Sequence, residues 1–436
     1  MRCWPTWANR RMAQPASIVI VGAGQGGAMA AAALRGLGYG GRLTLVGREP
    51  HPPYERPPLS KTVLRDAQAE ATGTIHPPAF YAEQDIALIQ GIDAVALDRG
   101  RREVRLANGT ALPYDRCLLA TGGDARQLPA TPRGTPGVHY VRTLDDARRL
   151  RDGLRPGGRV VIVGGGFLGL EVASTALDAG ADVALVETAD RLIANALPAP
   201  ISAWLAARAT AAGVALHLGA RIASLAAHGT QAPAGLVLDD GQALHADAIV
   251  VAIGLVPEVG LARAAGLELD PQNGGVRVDA HCRSSDPDIL AIGDCASQHR
   301  DCLGRHARLE SWQNANEQAR VAAAVMLEQE PTPAAYPWFW TDQFGCNIQM
   351  LGLPAADLAY VCRGSAEPGA PAPRLVWLGH RDGIPVHGVA VNAPGDLRQL
   401  RVLFERAVPI DPAGYADEST ALKPWIKACQ QAAAAA

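Results

Sequence analysis

Apolar and polar positions along this chain fall into a repeating order. Two blocks are apolar without interruption, IVIV at 18–21 and VVIV at 160–163. Each reads as a short strand buried on both faces, as parallel strands are. Each runs through a glycine-rich turn into an alanine-rich helical stretch, then into a second apolar strand, RLTLVG at 42–47 and DVALVE at 182–187. Further strands are expected in YDRCLLATGG at 114–123 and SDPDILAIGDCA at 285–296, and LVLDDGQALHADAIVVAIG at 236–254 reads as a hairpin. The last hundred residues carry alternating patterns instead, RLVWLG at 374–379 and PVHGVAVN at 385–392. Strands alternating with helices predict layered α/β architecture, followed by a smaller α+β domain.

The turns carry the first chemistry. Gly22, Gly24 and Gly27 form G-x-G-x-x-G, and Gly164, Gly166 and Gly169 repeat it 142 residues later. The first glycine permits the tight turn, the second lets a pyrophosphate approach the backbone, and the third lets helix and strand pack closely. The helix N-terminus that follows offers free N–H groups to phosphates. The second copy ends on Glu187, 18 residues past Gly169, where a carboxylate accepts from both ribose hydroxyls and repels a 2′-phosphate. That site is expected to prefer NAD(H) to NADP(H). In the first copy the nearest acid is Glu49, preceded by Arg48, and which of the two faces a ribose stays open. Two dinucleotide sites in one chain point to a hydride exchanged between a flavin and a nicotinamide. Asp294, at the end of a strand, can bind a polyol hydroxyl of the flavin or cap a helix.

Composition narrows the class. The 436 residues are 48% hydrophobic and only 19% charged, so several folded domains are expected rather than disorder. A formal net charge of −3 argues against a broadly basic nucleic-acid binder. The eight cysteines show neither CxxC spacing nor a disulfide framework. No apolar run approaches the length of a membrane span, and the first residues lack a secretory signal, so a cytoplasmic protein is expected, with Met12 an alternative start.

Seven segments in order, PYERPPLSK at 53–61, ATGG at 120–123, VRTLDDA at 141–147, GGGFLGLEVA at 164–173, AIGDCA at 291–296, LESWQNANEQA at 309–319 and PWFWTDQ at 337–343, resemble one family. It is the oxygenase-coupled, NADH-dependent ferredoxin reductases of the putidaredoxin and rubredoxin reductase type. They lie within the glutathione-reductase-type flavoproteins, and the resemblance runs from about residue 17 to 420. It implies an FAD-binding domain at 1–125 and 246–328, interrupted by an NAD-binding domain at 126–245, both Rossmann-like, with a C-terminal α+β domain at 329–436. It implies that Lys61 sits beside the isoalloxazine ring and Glu171 pairs with it. It further implies that Arg142 contacts FAD, Asp294 binds the ribityl chain, Trp312 lies at the flavin edge, and Ala94 meets the adenine through its backbone. Trp338 and Trp340 are candidates for the wall over the flavin, with core packing as the alternative.

The resemblance implies hydride transfer from NADH to FAD, then single electrons to a [2Fe–2S] ferredoxin or rubredoxin. No cysteine lies between Cys3 and Cys117, so the cysteine pair of the disulfide reductases is missing and an external acceptor is required. Arg300, Arg305, Arg308 and Arg320 are candidates for steering an acidic partner. Cys295, His299, Cys302 and His306 have the residue types of a zinc set, but the resemblance puts Cys295 by the flavin and the rest in a variable loop, so no metal is expected. The resemblance favours a monomer, and the closing QQAAAAA is expected to fray. Two other readings remain open: an NADH oxidase using oxygen directly, and a non-catalytic redox sensor.

Overall fold

The computed structural model describes residues 14–129, 131–228, 232–300, 303–332, 335–364 and 367–435. They form two compact units. In the first, which takes the described residues up to 54, 74–123 and from 257 to 332, five parallel strands make the central sheet. Their order is Ile289–Ala291, Arg116–Leu119, Ser17–Val21, Arg42–Val46, Ile86–Ile89. Ile18 and Ile20 face one apolar layer, Val19 and Val21 the other, which is why the block contains no polar alternation. The helices Gln25–Gly36 and Trp312–Met326 cover the first face, where Ala30, Ala31, Ala319, Ala322 and Ala323 let them approach closely. Smaller three-stranded sheets, Ala94–Asp98 with Glu103–Leu106 and Ala111–Pro113, and Val276–Val278 with Ala296–Arg300 and Arg305–Ala307, complete the unit.

The second unit contains described residues of 55–73, 124–256 and from 335 onward. Its parallel sheet has the order Ala215–Leu218, Asp182–Glu187, Arg159–Val163, Ala248–Val251, Val138–His139. Residues 248–251, expected to open the second segment of the FAD domain, are instead a central strand here. The apolar run AIVV is fully buried beside RVVIV, and only a strand covered on both faces can hold it. The hairpin expected at 236–254 is the pair Ala232–Leu238 and Ala243–His245. VRTLDDA folds as a helix start, with Thr143 and Asp146 closing a capping box.

The C-terminal part is a five-stranded antiparallel sheet, in the order Trp338–Gln343, Cys346–Gly352, Ile384–Val391, Leu375–Arg381, Ala359–Gly364. The helices Pro394–Glu405 and Leu422–Ala435 pack on its one face through Leu397, Leu400, Phe404, Trp425 and Ile426. The terminal alanines, expected to fray, continue that last helix, consistent with alanine's top helix propensity. Among the described residues no helix is long and apolar enough to cross a membrane.

Candidate active site and its nucleotide turns

The two glycine-rich turns share one steric logic. A Cβ on Gly22 would lie 2.1 Å from the carbonyl oxygen of Ala120, and one on Gly27 would lie 1.8 Å from that of Gly22. The second copy repeats this, with 2.4 Å from Gly164 to Ala252 and 2.1 Å from Gly169 to Gly164. Gly22 and Gly164 also hold φ of 113° and 109°, where a side chain is strained. The middle glycines differ: a Cβ on Gly24 or Gly166 would meet nothing within 4 Å. Neither is needed by the fold, so each keeps open the space before its helix. Those helices, Gln25–Gly36 and Phe167–Asp178, begin at Gly24 and Gly166 with no side-chain cap. Their first N–H groups therefore await another acceptor. Both turns thus fit a dinucleotide pyrophosphate.

Beyond the turns the copies diverge. Glu187 ends its strand, and its carboxylate accepts from Gly165 N–H at 2.6 Å and Ala189 N–H at 2.8 Å. The glycine turn itself thereby fixes the acid's orientation. Glu49 lies three residues past the strand Arg42–Val46 and accepts from the Tyr54 hydroxyl. Arg48 is half-exposed and turned to Glu258 at 3.3 Å and Asp93 at 3.8 Å.

Lys61 and Glu171 meet within the second unit. Lys61 follows a 3-10 turn, Pro57–Ser60, whose two prolines preset the backbone. Glu171 is on the inner face of the helix after the second glycine turn, 7% exposed. The Lys61 Nζ lies 2.7 Å from Glu171 Oε1 and 3.3 Å from the Pro57 carbonyl. The Ser60 hydroxyl donates to Oε2 at 2.5 Å and the Thr341 hydroxyl to Oε1 at 2.6 Å. Ser60 and Thr341 lie within PYERPPLSK and PWFWTDQ, yet nothing local marks them; their contact with Glu171 appears only when residues 60, 171 and 341 are brought together.

The remaining site residues are placed as follows. In the second unit, Arg142 is half-buried, its N–H donating to Asp146 at 3.1 Å and its carbonyl accepting from Arg56. In the first unit, Asp294 is half-buried in a 3-10 turn, Gly293–Cys295, and does not act as a side-chain cap. Gly293 N–H donates to Gln318 at 2.6 Å, anchoring that turn. Trp312 opens its helix and is 36% exposed. Ala94 starts a strand beside a bulge. Trp338 and Trp340 stack on each other, ring centroids 5.2 Å apart, on the edge strand of the C-terminal sheet.

Two arginines leave the expected steering patch. Arg300 is 5% exposed and bonded to Asn314, because its strand lies under the helix Trp312–Met326. Arg308 is mostly buried and tied to Glu310 and to the Asp294 carbonyl. Arg305 and Arg320 are exposed. The six described cysteines, Cys117, Cys282, Cys295, Cys346, Cys362 and Cys429, are all free. Burial pushes every one of these thiols up, Cys362 to about 11, so none is poised as a thiolate nucleophile. Cys302 lies outside the described residues, and among those described no group of three or more His, Cys, Asp or Glu is arranged to hold a metal.

These features define a two-dinucleotide oxidoreductase without a thiol relay among its described residues. The chain belongs to the pyridine nucleotide-disulphide oxidoreductase family, whose model matches residues 16–319; a second model, the reductase C-terminal domain, matches 338–426. It is 39% identical over 408 residues to rhodocoxin reductase of Rhodococcus erythropolis, covering 93% of each chain. It is 40% identical over 410 residues to the ferredoxin–NAD(+) reductase component of the anthranilate 1,2-dioxygenase system of Burkholderia cepacia, covering 94% of this chain and 98% of that one. Among solved structures it is similar to putidaredoxin reductase in a covalent complex with putidaredoxin, with a TM-score of 0.90, 36% identity, and 95% and 99% coverage.

Proposed function

We propose that this protein is an FAD-dependent reductase that takes electrons from NADH and delivers them singly to a [2Fe–2S] ferredoxin, or a rubredoxin, serving an oxygenase. The observation that carries the reading is the pair of uncapped helix N-termini, each kept open by a middle glycine that the fold does not require. The elevated thiols of the described cysteines support an acceptor outside the chain, and the relatives are named as reductases of such systems.

When bound, the flavin supplies the conversion between a two-electron hydride donor and a one-electron acceptor. The chain's residues hold and bias it. Amides at the start of Gln25–Gly36 receive the FAD pyrophosphate, and those at the start of Phe167–Asp178 receive that of NADH. Glu187 accepts from the NADH ribose. Glu49, Ala94, Arg142, Asp294 and Trp312 are the FAD contacts on this reading. Lys61 places a positive charge for the reduced ring, and Glu171 keeps it in place. Arg305 and Arg320 steer an acidic partner, an effect on association rate that salt screens. Free cysteines accord with a reducing cytoplasm.

The test is NADH oxidation by the purified protein in air, with and without a [2Fe–2S] ferredoxin coupled to cytochrome c. A low basal rate that rises steeply with ferredoxin is expected. A fast rate indifferent to ferredoxin would overturn the reading in favour of an oxidase.

A further inference from the structure

The segment PWFWTDQ at 337–343 is absorbed by neither nucleotide turn, yet one of its side chains ends on the buried carboxylate. It forms the edge strand Trp338–Gln343 of the C-terminal sheet. Four ties hold that strand and its turn to the nucleotide domain of the second unit. Phe339 packs on Phe167, with centroids 4.7 Å apart. Phe344 N–H donates to Ser174 Oγ at 2.8 Å. Arg208 donates to the Phe344 carbonyl at 2.9 and 3.1 Å. Thr341 donates to Glu171. The first three fix the backbone on either side, so the hydroxyl of Thr341, itself 0% exposed, has one place to go.

Its proton direction follows from the donor inventory. A carboxylate accepts only, so the hydroxyl gives its proton to Glu171 Oε1. Gln343 Nε2, 3.3 Å away, then supplies the bond that the hydroxyl oxygen accepts. Lys61 donates to the same Oε1, and Ser60 donates to Oε2, while the Ser60 carbonyl is held by Thr175 at 2.8 Å. Both carboxylate oxygens are therefore held, and the plane of the carboxylate fixes where the Lys61 ammonium stands. A lone buried ion pair lacks this restraint and must beat its own desolvation.

We propose that Thr341 is a positioning residue for the hydride-transfer site. Through Glu171 it sets the position of the Lys61 charge, and this is what the C-terminal domain contributes to the chemistry of the NAD-binding domain. The proposal rests on the reading of Lys61 and Glu171 given above.

The test uses flavin-loaded protein mixed rapidly and anaerobically with NADH. T341V keeps the shape and removes the hydroxyl. It is expected to slow hydride transfer about tenfold, the loss of one hydrogen bond to a charged group, with NADH binding unchanged. It should also move the flavin midpoint potential to more negative values, because the charge that favours the reduced ring is no longer fixed. T341S is expected to restore both. In the double variant T341V/E171Q the rate should be no lower than in E171Q alone, since Thr341 acts only through that carboxylate. Additive losses, a T341S as slow as T341V, or a T341V with unchanged rate and potential would overturn the proposal while leaving the pair intact. A wild-type rate and potential in E171Q would overturn the pair itself, and the proposal with it. Should T341V fail to fold, T341A removes the same hydroxyl and must give the same split between rate and NADH binding; unchanged transfer there would overturn the proposal.

Discussion

The two glycine-rich turns are built alike and finished differently. In each, the outer glycines are demanded by backbone atoms of the protein, and the middle glycine is demanded by nothing in it. In the second copy the acidic residue is the last of its strand and is held by an amide of the turn, so acid and turn form one hydrogen-bonded piece. In the first copy Glu49 stands beyond the strand, engaged by Tyr54, and Arg48 is drawn to Glu258. The shared motif leaves the same open turn before each helix, while the residues just past it are arranged differently in the two copies, and on the proposed function that difference is what tells the two dinucleotides apart. On the proposed function, the copy that takes NADH carries the tighter device, an acid held by its own turn.

The strongest way to break this comparison is to separate fold-required from ligand-required glycines. G27A and G169A each drive a Cβ into a carbonyl and are expected to destabilise their units by roughly 3 kcal/mol or more in urea unfolding. G24A and G166A are expected to leave stability within about 0.5 kcal/mol in the unliganded protein, corrected for helix and cap preferences. They should weaken FAD and NADH binding respectively. Equal destabilisation across all four would collapse the distinction.

The contrast between rigid and loose acids extends to the buried carboxylates, and pH sharpens it. In the second unit Asp146 is 3% exposed. Burial raises its carboxyl, but Arg133 and Thr143 outweigh that and hold it below the usual range. In the first unit burial raises Asp270, but the Ser297 hydroxyl, backbone amides and the nearby His306 together hold it down. A depressed folded value contributes stability that is present above the unfolded value, near ~3.9, and lost as pH falls through the folded one. D146N should cost about 3 kcal/mol at pH 7, because it strips Arg133 of a buried partner. D270N should cost about 2 kcal/mol, because hydrogen bonds to a charged acceptor are exchanged for bonds to a neutral amide. Both penalties should shrink on acidification below pH ~4, measured by urea unfolding at each pH. A D146N penalty that persists at the lowest pH would mean that packing, not charge, carries it.

The smallest effects separate the two acids that the proposed function assigns to riboses. E187Q is expected to raise the KM for NADH about tenfold and to narrow the preference over NADPH, in line with a charge-assisted hydrogen bond. E49Q should weaken FAD binding by less than about fivefold, since Glu49 stands three residues beyond its strand and meets the Tyr54 hydroxyl, outside the glycine turn. A larger loss in E49Q than in E187Q would reverse the assignment of the tighter device.

Much of this was legible before any tertiary structure. Apolar blocks, glycine spacing and helical stretches are local patterns, so both strand–turn–helix–strand modules could be placed to within a residue or two, with Glu187 at the end of its strand; the strand before Asp294 stops earlier, at Ala291, and Asp294 stands in the turn that follows. The missing cysteine pair is likewise a property of the chain alone. What the sequence did not carry were contacts across long separations. Residues 248–251 join the second sheet because a parallel neighbour was waiting there, which no local period reveals. Arg300 and Arg308 look like surface charge in the sequence; Arg300 is buried against Asn314 of the helix Trp312–Met326, and Arg308 is tied to Glu310 and the Asp294 carbonyl. Ser60, Glu171 and Thr341 meet across separations of 111 and 170 residues. Local sequence determined the elements and the nucleotide turns, because hydrogen bonding and side-chain period act over a few residues. How the Glu171 carboxylate is oriented belongs to the tertiary structure, because its donors come from two segments, 60–61 and 341, that lie 111 and 170 residues from it at Ser60 and Thr341.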